Sequence, residues 1–211
     1  MRPTQHSRVG VLALVLGVAL SVTIYIWSEM MNAVPLDIPV SLSVGHVRTP
    51  DFKTSVDIPY DIDIAFDSGI PLDKLNCLIG MNWQSVQACT DQPSVLNVNW
   101  TLVRDGQNIA SGSSTESGRA SYSYHKTARD IGSFHAEKGR KYRLEVDVLQ
   151  DGTQLGRANP RLQVEPFLNS YEGQLLIAGL AFYLGILCAV VGIAMILFSL
   201  IQKSRLKKIL T

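Results

Sequence analysis

Two uncharged apolar runs, Val9–Trp27 and Leu175–Ile201, flank a segment of about 145 residues that alternates between apolar and polar positions. Crossing the roughly 30 Å hydrocarbon layer takes about 20 helical residues, so both runs are long enough to span it. A cleavable signal peptide has an apolar core of about 7–15 residues followed by an A-x-A-like site. The first run holds 19 residues, and Ser28-Glu29-Met30-Met31-Asn32-Ala33 lacks small residues at paired spacing, so a retained anchor is expected. The second run, at 27 residues, exceeds the usual span and is expected to tilt or to end in the interface.

Charge orients the chain. Arg2 and Arg8 precede the first run, and Lys203, Arg205, Lys207 and Lys208 follow the second, with no acid at either end. Positive flanks mark the cytoplasmic side. Both termini are therefore expected in the cytoplasm and the central segment outside it. A plasma membrane is the expected location, since no organelle address is visible. The expected layout is a cytoplasmic N-terminus at 1–8, a first transmembrane helix at 9–29 and an extracytoplasmic domain at 30–170. A second transmembrane helix at 174–201 and a basic cytoplasmic tail at 202–211 complete it. Ala33–Ser170 holds 16 acidic and 13 basic residues, a net of −3, which makes the domain a poor platform for nucleic acid. Neither run carries an ionisable residue, so a proton relay or ion path through this chain alone is not expected.

Small residues recur every fourth position in both runs: Ala13, Gly17 and Ser21 in the first, Ala181, Gly185 and Ala189 in the second. Cys188 and Gly192 form another such pair on a neighbouring stripe. Helix association in lipid is driven by close packing, which small residues at this spacing permit. The stripes are expected to pack the two helices together or to pair them with another membrane protein.

The central segment reads as β-structure. Val56, Ile58, Tyr60, Ile62, Ile64 and Phe66 alternate with Asp57, Pro59, Asp61, Asp63 and Ala65, the period of a strand with one buried face. Its outward Pro59 and acids suggest a protected edge strand. Leu96, Val98, Trp100 and Leu102 alternate likewise and lead to Asp105-Gly106 and Ile109–Gly112, a hairpin signal. Tyr142, Leu144, Val146 and Val148 run into Asp151-Gly152, and Leu162–Val164 suits a final strand closed by Pro166. Shorter candidates are Leu36–Val44, Arg119–Tyr124 and Ile131–His135. Many short strands separated by turns predict an antiparallel β-sandwich. Gly139-Arg140-Lys141-Tyr142-Arg143-Leu144-Glu145-Val146 resembles the late-strand pattern of immunoglobulin-like and fibronectin-like domains, in which a tyrosine sits near a strand start. The resemblance covers about 30 residues. The order cysteine, tryptophan, cysteine of immunoglobulins is missing, because Cys77 and Cys89 both precede Trp100.

Ile70–Asp91 departs from the β pattern. Pro71–Leu75 suits a short helical turn with Pro at its first position. In an oxidising compartment Cys77 and Cys89 most simply pair. The closed loop of 13 residues would gain about 3 kcal/mol of chain entropy. Zinc normally needs four ligands and no His or Cys pair lies nearby, so no metal is expected. Cys188, inside the second run, is expected to pack as a small apolar residue.

No G-x-S-x-G elbow or H-E-x-x-H motif is present. His6 lies in the cytoplasmic N-terminus and His46 stands near a turn. His125 and His135 flank Asp130, with Ser121 and Ser123 close in sequence, but a catalytic triad is a matter of geometry, not of nearness in sequence. Asp57, Asp61 and Asp63 would project from one strand face about 7 Å apart, too far for a single calcium ion. Asp67-Ser68-Gly69 suits a turn. Asn99-Trp100-Thr101 matches a glycosylation sequon, with Asn99 turned outward by the strand phase.

The linkers span about eight and about ten residues. Returning both domain ends to one membrane calls for an even number of main strands or for one linker running up the domain's side. The chain is expected to be a non-enzymatic, two-pass membrane protein whose outer sandwich contacts a membrane or extracytoplasmic protein or an envelope component. No cofactor is expected, and the lipid bilayer is the other partner. The alternative is a tethered ligand-binding or hydrolytic domain using the His125–His135 or Cys77–Cys89 region.

Overall fold

The computed structural model describes residues 3–67, 69–81, 89, 93–116, 120–123 and 126–209. It divides into two units, one made of residues 1–31 and 171–211, the other of residues 32–170.

The first unit is a pair of helices, α1 (Pro3–Met31) and α3 (Glu172–Ile209). Both run past their apolar cores, because Lys, Arg and Gln are good helix formers and continue α3 well beyond Ile201. Both are long and apolar enough to cross a membrane.

Among the described residues the second unit holds ten strands: β1 (Leu36–Pro39), β2 (Gly45–Arg48), β3 (Phe52–Lys53), β4 (Pro59–Asp67), β5 (Val98–Arg104), β6 (Gln107–Ser113), β7 (Ala120–Ser123), β8 (Lys126–His135), β9 (Lys141–Val148) and β10 (Arg161–Pro166). Helix α2 (Leu72–Leu78) follows β4, and a 3-10 helix, Thr153–Ala158, precedes β10. One sheet has the order β1-β10-β4-β8-β7 and the other β2-β9-β5-β6, with β3 also on β9. The pairings are antiparallel throughout. Inward residues of both sheets, among them Ile62, Ile64 and Val164 from the first and Val98, Leu102, Leu144 and Val146 from the second, form one core.

β4 is not an edge strand. It lies between β10 and β8, with Ile62 opposite Val164 on one side and Gly132 on the other. Pro59 is tolerated because it stands first in the strand, where the missing N–H costs least. Residues 55–58 bend before β4 begins, so the regular strand starts later than the alternation suggests. The Leu36–Val44 stretch likewise ends early, at Pro39, and a separate strand starts at Gly45.

Asp105 and Gly106 join β5 to β6 with φ of 51° and 79°. Both are left-handed, as a two-residue hairpin matched to strand twist requires. Asp151-Gly152 makes no hairpin; Asp151 Oδ1 accepts the Thr153 N–H at 3.0 Å and opens the 3-10 helix. β1 pairs with β10 from Leu36↔Val164 to Pro39↔Arg161. The chain thus enters and leaves the unit at the same end.

Trp100 joins the two sheets. It is 4% exposed, and its indole N–H donates to the Ile131 carbonyl at 2.6 Å. That carbonyl belongs to a bulge in β8, where Ile62 faces Gly132 and Asp63 faces Asp130, leaving Ile131 as the extra residue. Asp130 Oδ1 steadies the bulge by accepting the Gly132 N–H at 2.7 Å. A Cβ at Gly132 would lie 2.3 Å from Trp100 Cζ2, and one at Gly112 2.9 Å. The ring thus fills the room that two glycines leave. Tyr142, 1% exposed, packs on Phe52 and Phe134, and its hydroxyl accepts the Glu137 N–H at 2.8 Å.

Gly132→Ala should destabilise the domain by about 1–3 kcal/mol through overpacking against Trp100. Gly156→Ala, which meets open space, should change it by less than about 1 kcal/mol. Chemical denaturation of the full chain in detergent, followed by tryptophan fluorescence, checks both; equal effects would show that the Trp100 slot is not tight.

Candidate functional site

Three places in the structure gather polar or closely packed groups. The first is the end of the sandwich opposite to that where the chain enters and leaves. There β1 ends at Pro39, β4 at Asp67, and β10 begins at Arg161. The 3-10 helix Thr153–Ala158 crosses this end with a cleft on either side. One, of about 480 Å³, is lined by Pro39–Leu42, Asp67, Thr153, Gly156 and Asn159–Arg161. Its arginine is engaged: Arg161 Nε donates to Asp37 Oδ1 at 2.6 Å and Nη2 to the Asp37 carbonyl at 3.1 Å. The other, of about 340 Å³, is lined by Gly69, Ile70, Pro71, Lys74, Leu78, Gln154 and Arg157.

Local sequence explains the second cleft. A Cβ at Gly69 would lie 1.9 Å from the Arg157 carbonyl, so only glycine lets the chain after β4 press against the 3-10 helix. Pro71 caps α2, and its carbonyl accepts the Leu75 N–H at 2.9 Å. Leu75, Cys77 and Leu78 anchor α2 in the core, which leaves Lys74 exposed. Cys77, near the other end of α2, is bridged to Cys89, with the two Cα atoms 5.3 Å apart.

The second place is the outer face of the first sheet. Asp61 pairs with Glu165, and Asp63 with Gln163 and Asp130. Asp63 is only 3% exposed. Its burial, with Glu165, Asp130 and Asp61 close by, pushes its carboxyl up to about 8. A buried carboxyl held among carboxylates keeps its proton at neutral pH. Among the described residues no group of three or more His, Cys, Asp or Glu side chains is arranged to hold a metal. Asp57 lies outside the strand and accepts the Lys138 N–H. Asp67, at the far end of β4, lines the larger cleft.

The third place is the seam of the helix pair. A Cβ on Gly17 would lie 2.5 Å from the Gly185 carbonyl and 2.7 Å from the Ala189 nitrogen. One on Gly185 would lie 2.5 Å from Ser21 Oγ, and one on Gly10 2.9 Å from the Gly192 carbonyl. Gly17, Ser21, Gly185 and Ala189 thus come together, while Ala13 and Ala181 are half-buried. The covered positions of α1, from Ser7 through Gly10, Leu14, Gly17, Ser21 and Ile24 to Ser28 and Met31, alternate steps of three and four. Those of α3 repeat every seventh residue at Ala178, Gly185, Gly192 and Ser199. The spacing is that of a left-handed supercoil, not of a four-residue stripe. The four-residue reading passed over Gly10 and Leu14, which a search for seven-residue spacing finds. Cys188 is half-buried and unbridged.

The histidines do not converge on a catalytic group among the described residues. His46 is not isolated; its Nδ1 lies 2.7 Å from Asp147 Oδ1 on the exposed face of β9. His135 is exposed at the end of β8, level with Pro59, whereas Asp130 lies level with Asp63. His125, Tyr124 and Trp83 lie outside the described residues, as do the side chains of His6, Ser121 and Ser123. Asn99 is exposed on β5, between Ser113 of β6 and Asp147 of β9.

No protein-family model and no curated protein matches the chain. Among solved structures it is similar to the crystal structure of GEBA250068378 from Sulfurospirillum deleyianum, at 16% identity and a TM-score of 0.47. That match covers 63% of this chain and 96% of the other.

The raised Asp63 carboxyl has a defined sign in stability. Its folded value near 8 stands above the ordinary 3.8, so the stabilisation is full below about pH 4 and is lost as pH rises through 8. Asp63→Asn, which mimics the neutral acid, should remove that loss. Between pH 5 and pH 8 the urea midpoint of the wild type should fall relative to the variant, by the equivalent of a few kcal/mol. Parallel pH profiles would rule out a protonated Asp63. For the seam, extending the Gly17–Gly185 register by seven residues brings Ile24 level with Ala178. Disulfide formation between cysteines introduced at these two positions, with Cys188 replaced by Ser, should drop sharply when Gly17 and Gly185 become Leu. Unchanged crosslinking would show that the glycines do not set the approach.

Proposed function

We propose that this chain is a two-pass integral membrane protein of a non-enzymatic binding or scaffolding type. Its immunoglobulin-like sandwich lies outside the cytoplasm and contacts a protein partner or envelope component. The observation that carries the reading is the pairing of β1 with β10, which puts both ends of the domain's chain at one end of the sandwich. Two apolar helices of spanning length continue from those ends through short connectors, 32–35 and 167–171. We assign the partner surface to the opposite end of the sandwich. The Cys77–Cys89 bridge fits an oxidising compartment. The cations at residues 2, 8, 203, 205, 207 and 208 fit cytoplasmic termini. Tyr142, which bonds back to the Glu137 backbone, fits the tyrosine corner of immunoglobulin-like folds.

Labelling of single cysteines in intact cells with a membrane-impermeant maleimide tests the topology, with Cys188 replaced by Ser. A cysteine at Asn108, in β6, should react in intact cells, and one at Lys203 should react only after permeabilisation. The reverse pattern, or labelling of both in intact cells, would overturn the proposed arrangement.

A further inference from the structure

We infer that the cleft between α2 and the 3-10 helix receives an acidic side chain of a partner protein, with flanking apolar residues of that partner resting on Ile70, Pro71 and Leu78. The inference rests on the reading of the domain as protein-binding and names the chemistry of what it binds.

Arg157 carries the argument. Of the seven arginines whose side chains are described in the domain, six reach an oxygen. Arg48 meets Glu145, Arg104 and Arg140 meet Glu137, and Arg143 meets Asp51. Arg161 meets Asp37, and the buried Arg129 donates to the Ser114 carbonyl. Among the described residues Arg157 alone has no such acceptor, although the domain has more acids than bases. Lys74 lines the same cleft and likewise lies within 4.0 Å of no described carboxylate. Lys74 on α2 and Arg157 on the 3-10 helix line the same cleft from its two sides and form a local field for a negative group.

The cleft is also held in shape. Gly69 sits backbone to backbone against Arg157, and the buried Leu75 and Leu78 fix α2. Such preorganisation lowers the cost of binding. Guanidinium suits the planar carboxylate, and Gln154 adds an amide. The volume of about 340 Å³ and the apolar floor of Ile70, Pro71 and Leu78 fit a side chain with its neighbours better than a bare inorganic ion. A polyanionic surface, whether nucleic acid or acidic lipid, is disfavoured by the net −3 of the whole segment. A single carboxylate seated between two cations senses mainly the nearby charges.

The test uses the full chain in phosphatidylcholine nanodiscs and a capped peptide, Leu-Glu-Leu-Asp-Leu, with its Gln and Asn counterpart as the neutral control. The side-chain amide resonance of Gln154 reports occupancy. The acidic peptide should shift it saturably, with the neutral peptide about 10-fold or more weaker. The doubly substituted Lys74→Glu, Arg157→Glu chain should lose the response. The milder Lys74→Gln, Arg157→Gln chain should weaken it with the rest of the spectrum unchanged. The inference fails if no saturable shift appears by about 5 mM peptide, or if the neutral peptide binds equally well. It fails too if inorganic phosphate displaces the peptide at equal concentration. A photo-crosslinker at Asn108, on β6, separates the two readings. Partner crosslinks retained there alongside a failed titration overturn the cleft and leave the binding role standing.

Discussion

The four-residue ladder between β1 and β10 is the constraint on which the arrangement of the domain depends. It is short, yet it closes the chain on itself, because it joins the first strand to the last across more than a hundred residues. Non-local pairing of this kind carries a large loop-closure cost, which only the finished core offsets. Val164 and Leu162 supply that compensation from the middle of the first sheet, where both are fully buried. Once the ladder is made, the place where the chain enters and leaves is settled, and so is the identity of the opposite end. The clefts, the disulfide and α2 lie at that opposite end as a consequence.

The strand periods were legible because side chains alternate along a β-strand; Tyr142 to Val148 alternate in burial throughout, and Tyr60, Ile62, Ile64 and Phe66 of β4 all face the core. The Asp105-Gly106 turn was legible for a backbone reason, since both residues adopt left-handed angles that most side chains resist. Strand order was not legible. Pro59 and the outward Asp61 and Asp63 suggested an edge, yet outward acids are equally at home on a central strand whose outer face is solvated. Here Asp63 sits in a central strand and is covered, at a cost met by keeping its proton. Alternation reports which face a residue takes and is silent about how many neighbours that face has.

The same limit governs the candidate site. Gly17 and Gly185 could be singled out from composition and spacing, whereas the partner of each depends on the register of two helices far apart in sequence. Lys74 and Arg157 could not be found at all, because an arginine without an acceptor looks the same in a sequence as one with an acceptor. Only the placement of the other described arginines, each against an oxygen, distinguishes Arg157. The bulge at Ile131 is similar: its carbonyl gains a meaning only when Trp100 arrives from the facing sheet.

The β1–β10 ladder also determines how the domain responds to force. When neighbouring antiparallel strands end side by side, pulling their connectors apart loads the hydrogen bonds one after another, as in opening a zipper, instead of shearing them together. The pair from Leu36↔Val164 to Pro39↔Arg161 would therefore yield first under lateral tension on the two connectors. The bond between Trp100 and Ile131, lying between the sheets, would bear little of that load. Such a domain has a mechanical fuse at the end where its chain emerges and a stiff body beyond it.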